Sequence, residues 1–101
     1  MKKIVGITAC ITGIAHTYLA SESLIEAGRS MNVDVIIETH GAIGIENPLS
    51  QKDIDDSIGV IIASDIVIHD IRFLNKKIIK VGTQEAIKHP KKLIRSLIGD
   101  E

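Results

Sequence analysis

Aliphatic strand-like runs that alternate with helical patterns predict a small doubly wound α/β domain. Its four strands form a parallel sheet in the order 2-1-3-4, with helices on both faces and a phosphate-binding loop after strand one. Three observations support this. The chain has 101 residues, enough for one domain that buries roughly two-thirds of its unfolded surface. Hydrophobic residues make up 45% of it, with Tyr18 and Phe73 the only aromatics, so the core is aliphatic. Val/Ile runs such as Val60-Ile61-Ile62 read as strands buried on both faces, as in parallel sheets.

The first strand runs from Lys3 to Ala9 and is followed by a helix from about Ala15 to Met31. Ala20, Leu24, Ala27 and Met31 form its buried stripe, Glu22, Glu26 and Arg29 its outer side, and Asn32 its stop. The second strand is Val33 to Thr39; its alternation of Val35 and Ile37 with Asp34, Ile36 and Glu38 predicts an edge strand. A glycine-bearing loop, His40 to Gly44, comes next, and Asn47-Pro48 marks a turn. Ser50 then caps a short helix, Gln51 to Ser57. The third strand is Gly59 to Ala63, and Ile66 to His69 reads as a short extra strand or an extended loop. Ile78 to Val81 is the fourth strand. Thr83 caps a helix broken at His89-Pro90, and Pro90 opens a last helix that turns Leu93, Ile94, Leu97 and Ile98 inward. The whole chain, 1–101, reads as one domain without repeats or linkers.

Charge narrows the function. The net charge is −1; the first fifty residues carry three basic and five acidic side chains, the rest nine and eight. Neither half has the sign bias of a nucleic-acid binder, and two aromatics give no stacking platform for single strands. The cluster Lys88, Lys91, Lys92 and Arg95 reads as a solvated helix face. One cysteine allows no internal disulfide, which fits a reducing cytosol. Met1-Lys2-Lys3 and Ile7-Thr8-Ala9-Cys10 only loosely imitate a lipoprotein leader, because the apolar stretch is too short. No segment approaches the ~18 apolar residues that would insert into a bilayer.

In an open α/β sheet, ligands bind beyond the carboxyl ends of the strands, where the strand order reverses. Cys10 starts the loop at that point. The helix that follows offers free N–H groups and the positive end of its dipole, which favour both a phosphate and a thiolate. Cys10 is therefore the candidate nucleophile. Ile11, Thr12, Gly13, Ile14, Ala15, His16 and Thr17 form the candidate phosphate loop. Gly13 supplies the backbone freedom that a tight anion-binding loop needs, and Thr12 and Thr17 add hydroxyl donors. His16 is a possible donor to a phosphoryl oxygen or to the thiolate. Thr8, Glu38, His40, Ser64 and Asp65 also fall at or near strand carboxyl ends; the two carboxylates are expected to bond loop N–H groups or stay solvated. The sequence has no zinc-type spacing and no Walker loop, so neither a metal nor another cofactor is expected.

The stretch Ala9 to Ala20 resembles the enzyme IIB component of the bacterial sugar phosphotransferase system, fructose-specific class, whose loop reads A-C-P-T-G-I-A-H-T-Y-M-A. Glu38 to Asn47 is similar to that family's E-T-Q-G-S-x-G-x-E-N, and Ala63-Ser64-Asp65-Ile66 with Arg72-Phe73 agrees more loosely. The departures are Ile11 for a proline, Leu19 for a methionine and His40 for a glutamine. Proline would stiffen the loop, whereas His40 adds a titratable group nearby.

The resemblance implies a cytosolic phosphotransferase that meets the inner face of the membrane through a partner. Cys10 would take a phosphoryl group from phosphohistidine of a IIA protein. It would pass it to a sugar, by default fructose, entering through the membrane permease IIC. The length of the chain suggests that IIA and IIC are separate chains. Two alternatives compete. A low-molecular-weight cysteine phosphatase also places Cys on such a loop, but it needs an Arg at the loop's end and an Asp-Pro acid, and here stand His16, Asn47-Pro48 and His89-Pro90. A IIB-like regulatory phosphoprotein would accept the phosphoryl group without sugar transfer. An inert, buried Cys10 is the remaining reading.

Overall fold

The computed structural model describes residues 1–99. Its elements are β1 (Lys2–Ala9), α1 (Ala15–Ser30), β2 (Val33–Gly41), β3 (Gly44–Glu46), α2 (Gln51–Asp56), β4 (Gly59–Ser64), β5 (Ile78–Val81), α3 (Thr83–Lys88) and α4 (Pro90–Ile98). A single 3-10 turn, Ile71–Phe73, lies between β4 and β5. The sheet has five strands in the order β3-β2-β1-β4-β5. β1 pairs in parallel with β2 and β4, and β4 pairs in parallel with β5.

The four parallel strands follow the predicted order, but a fifth was missed. β3 pairs antiparallel to β2, which makes the sheet mixed and puts β2 second from the edge. Its three residues are all exposed, so no burial pattern marked them in the sequence. The hairpin turns at Ala42-Ile43, with Gly44 at φ 114°. Ile66 to His69 is irregular, the extended-loop alternative. Thr83 is the first residue of α3 rather than its cap; Gly82 holds that place, and the Thr83 side chain is engaged elsewhere.

Alternating side chains split the core in two. Ile4, Val33, Val35, Ile37, Ile61 and Ala63 face α1, α3 and α4, where Leu24, Leu93 and Ile94 close over them. Val5, Ile7, Val60 and Ile62 face the other way, against Ile54 of α2, Leu49 and Phe73. α1 ends as expected: Asn32 follows the C-cap at φ 60°, a conformation Asn tolerates. The Ser50 hydroxyl accepts from Asp53 N–H at 3.1 Å, as a cap should, and Lys3 Nζ ties Asp53 to β1 at 3.1 Å. The crossover through α1 lies on one face and that through α2 on the other. The strand order therefore reverses beside β1, where the residue after Ala9 is Cys10.

Candidate functional site

β1 ends between its neighbours, with Ala9 level with His40 on β2 and Ser64 on β4. Cys10 leaves the sheet there and lies 6% exposed under the first turn of α1. Thr17, fully buried on that helix, donates its hydroxyl to Cys10 Sγ at 3.1 Å. Thr12 Oγ1 stands 3.6 Å from the same sulfur. The backbone N–H groups of Thr17 and Ile14 also point at it. Desolvation pushes the thiol pKa up, but these four donors outweigh it and bring it down to about 6. At neutral pH the sulfur is therefore mainly thiolate.

The loop is shaped to deliver those donors. Gly13 N–H donates to Cys10 C=O at 3.1 Å, which closes a tight turn. Gly13 takes φ 69°, and a Cβ there would stand 2.6 Å from Ala42 N. Both facts favour glycine. Its carbonyl accepts from Ala42 N–H at 2.8 Å. Ile14, the N-cap of α1, provides no side-chain cap, so apart from the Thr17 N–H aimed at Cys10 the N–H groups at the start of the helix remain available to an anion. Thr12, Ala15 and His16 are exposed, as are Ile11 at 83% and Ile14 at 60%. The loop and the β2–β3 hairpin wall an open cleft of about 280 Å³, with Cys10 and Thr12 on one side and His40 and Gly41 on the other.

The flanking residues divide into two groups. Asp65 accepts from Thr83 N–H at 3.0 Å and from the Thr83 hydroxyl at 2.7 Å. Those bonds, with help from nearby His16, hold its carboxyl below the ordinary range. Its own N–H donates to Ala9 C=O at 3.1 Å, which fixes the strand end beneath the loop. Glu38 is 1% exposed and fully engaged. Arg72 grips it with two nitrogens at 3.1 and 3.0 Å, Leu49 N–H donates at 2.8 Å, and His40 Nε2 lies 2.6 Å away. Burial raises its pKa, but Arg72, His40 and the Leu49 amide more than reverse this. Asp70 completes the cluster by bonding Arg72 Nε at 3.0 Å. This departs from expectation: neither carboxylate bonds the phosphate loop, Glu38 being buried against Leu49 N–H and Arg72, and Asp65 bonded to Thr83 at the start of α3.

The hydroxyls of Thr12 and Thr17 and the backbone of Ile14 and Thr17 meet at the Cys10 sulfur, Gly13 shapes the loop through its backbone, and the side chains of Ile11, Ile14, Ala15 and His16 face solvent. Among the described residues His16 makes no side-chain hydrogen bond, and no group of three or more His, Cys, Asp or Glu could hold a metal ion. Sequence reasoning missed the Ala42 amide and the bond from Tyr18 Oη to Glu46 Oε1 at 2.6 Å. Both lie in the blocks around Tyr18 and Glu38 to Asn47, yet neither contact has a periodic signature.

The family model described as "PTS system, Lactose/Cellobiose specific IIB subunit" matches residues 5–96. The "PTS system fructose-like EIIB component 2" of Escherichia coli K12 is 42% identical over 89 residues, which covers 87% of this chain and 84% of that protein. The "PTS system fructose-specific EIIABC component" of Bacillus subtilis 168 is 34% identical over 99 residues, 98% of this chain but only 16% of that protein. A crystal structure of a domain of the fructose-specific IIABC component of Borrelia burgdorferi superposes with a TM-score of 0.91 at 37% identity, covering 98% of this chain and 96% of that one. The solution structure of an enzyme IIB subunit from Escherichia coli K12 gives 0.87 at 34% identity, covering 96% and 91%.

Proposed function

The chain belongs to the IIB family of the phosphotransferase system, and from that membership we propose that it relays a phosphoryl group through Cys10 to a sugar. The observation that carries this is the sole cysteine set at the strand-to-helix loop with the Thr17 hydroxyl 3.1 Å and the Thr12 hydroxyl 3.6 Å from its sulfur, a setting that lowers its pKa to about 6. In the first step the thiolate attacks the phosphorus of a IIA phosphohistidine. The S–P bond forms, the P–N bond breaks, and the imidazole leaves with its electron pair and takes up a proton. In the second step a sugar hydroxyl attacks in line, loses its proton to a base of the permease site, and expels the thiolate. One group thus serves as nucleophile and leaving group, which suits a low-pKa thiol.

The loop's contribution is positioning and charge stabilisation. The free N–H groups of the first turn of α1 face the phosphoryl oxygens, with the Thr12 and Thr17 hydroxyls beside them. Residues 11–17 form the cradle, with His16, exposed in the first turn of α1, as a further side-chain donor to an incoming phosphoryl group. Residues 1–101 act as one domain. The donor is a IIA protein and the acceptor a sugar in a membrane IIC permease. The chain works at the cytoplasmic face of the membrane, and no helix among its described residues is long and apolar enough to cross it.

Fructose is the sugar the names of the relatives support, fructose-specific at 34% identity and fructose-like at 42%, against the lactose/cellobiose wording of the broader family description. A reconstituted relay tests the proposal. With phosphorylated IIA and IIC supplied, the chain should yield fructose phosphate and its Cys10→Ser variant none. Sugar phosphorylation by the variant at the parent rate would refute the role of Cys10.

A further inference from the structure

The phosphate loop is not held by its own bonds alone. The carbonyl of Gly13, three residues after the nucleophile, is fixed from outside by Ala42 N–H at 2.8 Å. Ala42 sits at the tip of the β2–β3 hairpin, whose outer strand has only three residues, all exposed. Ile43 is 81% exposed and Ile45 59%, so the hairpin buries almost no apolar surface of its own. Such a short hairpin is marginal without an anchor. Asn47 Nδ2 bonds Ile37 C=O at 3.0 Å at its base. The other tether comes from α1, where Tyr18 Oη donates to Glu46 Oε1 at 2.6 Å. The Tyr18 ring also closes over the junction of hairpin and loop. A Cβ on Gly41 would stand 2.6 Å from Tyr18 Oη and 3.0 Å from Gly13 O.

We propose that Tyr18 is a positioning residue of the reactive loop. Through Glu46 it straps the β2–β3 hairpin against α1, so that Ala42 N–H keeps Gly13 C=O in place and the loop's amides stay aimed at Cys10 Sγ. The consequence for phosphoryl transfer rests on Cys10 being the acceptor; the effect on the sulfur does not. Tyr18 directly follows Thr17, the residue that donates to the sulfur, so one helical turn carries both the donor and the strap.

Charge and shape predict opposite results here. Glu46 is an anion, so any charge effect of deleting it on the Cys10 thiolate could only make that thiolate easier to form. Releasing the strap would misaim the amides and make it harder. The other titratable groups around the loop, His16, His40 and Asp65, are unchanged in every variant, so their effect cancels.

The experiment measures iodoacetamide alkylation of the full chain against pH, with thermal unfolding alongside, for Tyr18→Phe, Glu46→Ala, Glu46→Gln and the Tyr18→Phe/Glu46→Ala pair. At about pH 5.5, Tyr18→Phe and Glu46→Ala should react roughly three- to tenfold more slowly than the parent, with equal rates at about pH 9.5 where the thiol is fully ionised. The pair should be no worse than either single variant, since both cut the same strap. Glu46→Gln keeps an acceptor for the Tyr18 hydroxyl and should react within about twofold of the parent. Phosphoryl uptake from phosphorylated IIA should fall in the same order. Superimposable pH profiles, whether or not the melting temperature drops, would overturn the proposal and leave the relay intact. If the parent takes no phosphoryl group, the relay fails while the alkylation series still decides the strap.

Discussion

The Thr17 hydroxyl lowers the Cys10 thiol more than any other group around it, and among the described residues Cys10 Sγ is the partner its buried hydroxyl engages. Thr17→Val keeps the shape and removes the donor. It should raise the pH midpoint of Cys10 alkylation by about one unit, ~1.4 kcal/mol of lost thiolate stabilisation. An unmoved midpoint would mean that the amides alone ionise the sulfur. Gly13→Val places a branched side chain at φ 69° against the hairpin backbone and should abolish phosphoryl acceptance. Intact mass after incubation with phosphorylated IIA checks this. At the residue scale the candidate nucleophile and its place between strand and helix were legible because composition leaves one cysteine and its context is strand, loop, helix. The need for glycine at position 13 was legible too. That Thr17 rather than His16 reaches the sulfur was not, because the rotation of a helix about its axis at its first turn is fixed by packing and not by spacing.

Between elements, the principal polar fastener is Glu38. It joins the end of β2 to the loop at Leu49 and to Arg72 in the turn after β4. Glu38→Ala would leave Arg72 facing an emptied pocket beside Asp70. It should cost about 2 kcal/mol, measured by denaturant unfolding, because the buried Leu49 N–H loses its acceptor while Arg72, which is partly exposed, keeps Asp70. Glu38, Asp65 and Asp70 all titrate below the ordinary carboxylate range in the fold. Their stabilisation is therefore complete above that range and fades as pH falls through their depressed values, where the unfolded chain has already bound protons. Parent stability should decline in acid, and the Glu38→Ala variant should show a shallower decline. The opposite case is Thr8, whose fully buried hydroxyl has no hydrogen-bond partner among the described residues. Thr8→Val should raise stability by about 1 kcal/mol, visible as a melting temperature about 5 °C higher. The long elements were legible from apolar periodicity. β3 was not, since an edge strand of three exposed residues carries no such period and owes its existence to pairing with β2.

Over the whole molecule, the order of the parallel strands decides where chemistry can occur. Helices α1, α3 and α4 cover one face and the thinner α2 the other, so the crossovers diverge beside β1 and open the sheet's carboxyl edge above Cys10. That placement followed from strand–helix alternation and handedness alone. The hairpin that walls the cleft did not follow, because its glycine-bearing sequence reads equally well as a loop. Only the fold reveals that this hairpin, and not the next strand, closes the far side of the site. The account as a whole depends on Cys10 carrying the phosphoryl group. Its most direct test is intact-protein and peptide mass spectrometry after incubation with phosphorylated IIA. The structure predicts a gain of one phosphoryl group on the peptide holding Cys10, absent in Cys10→Ser. A phosphoryl group found on a histidine, or no mass gain while the same IIA phosphorylates an authentic IIB, would contradict it.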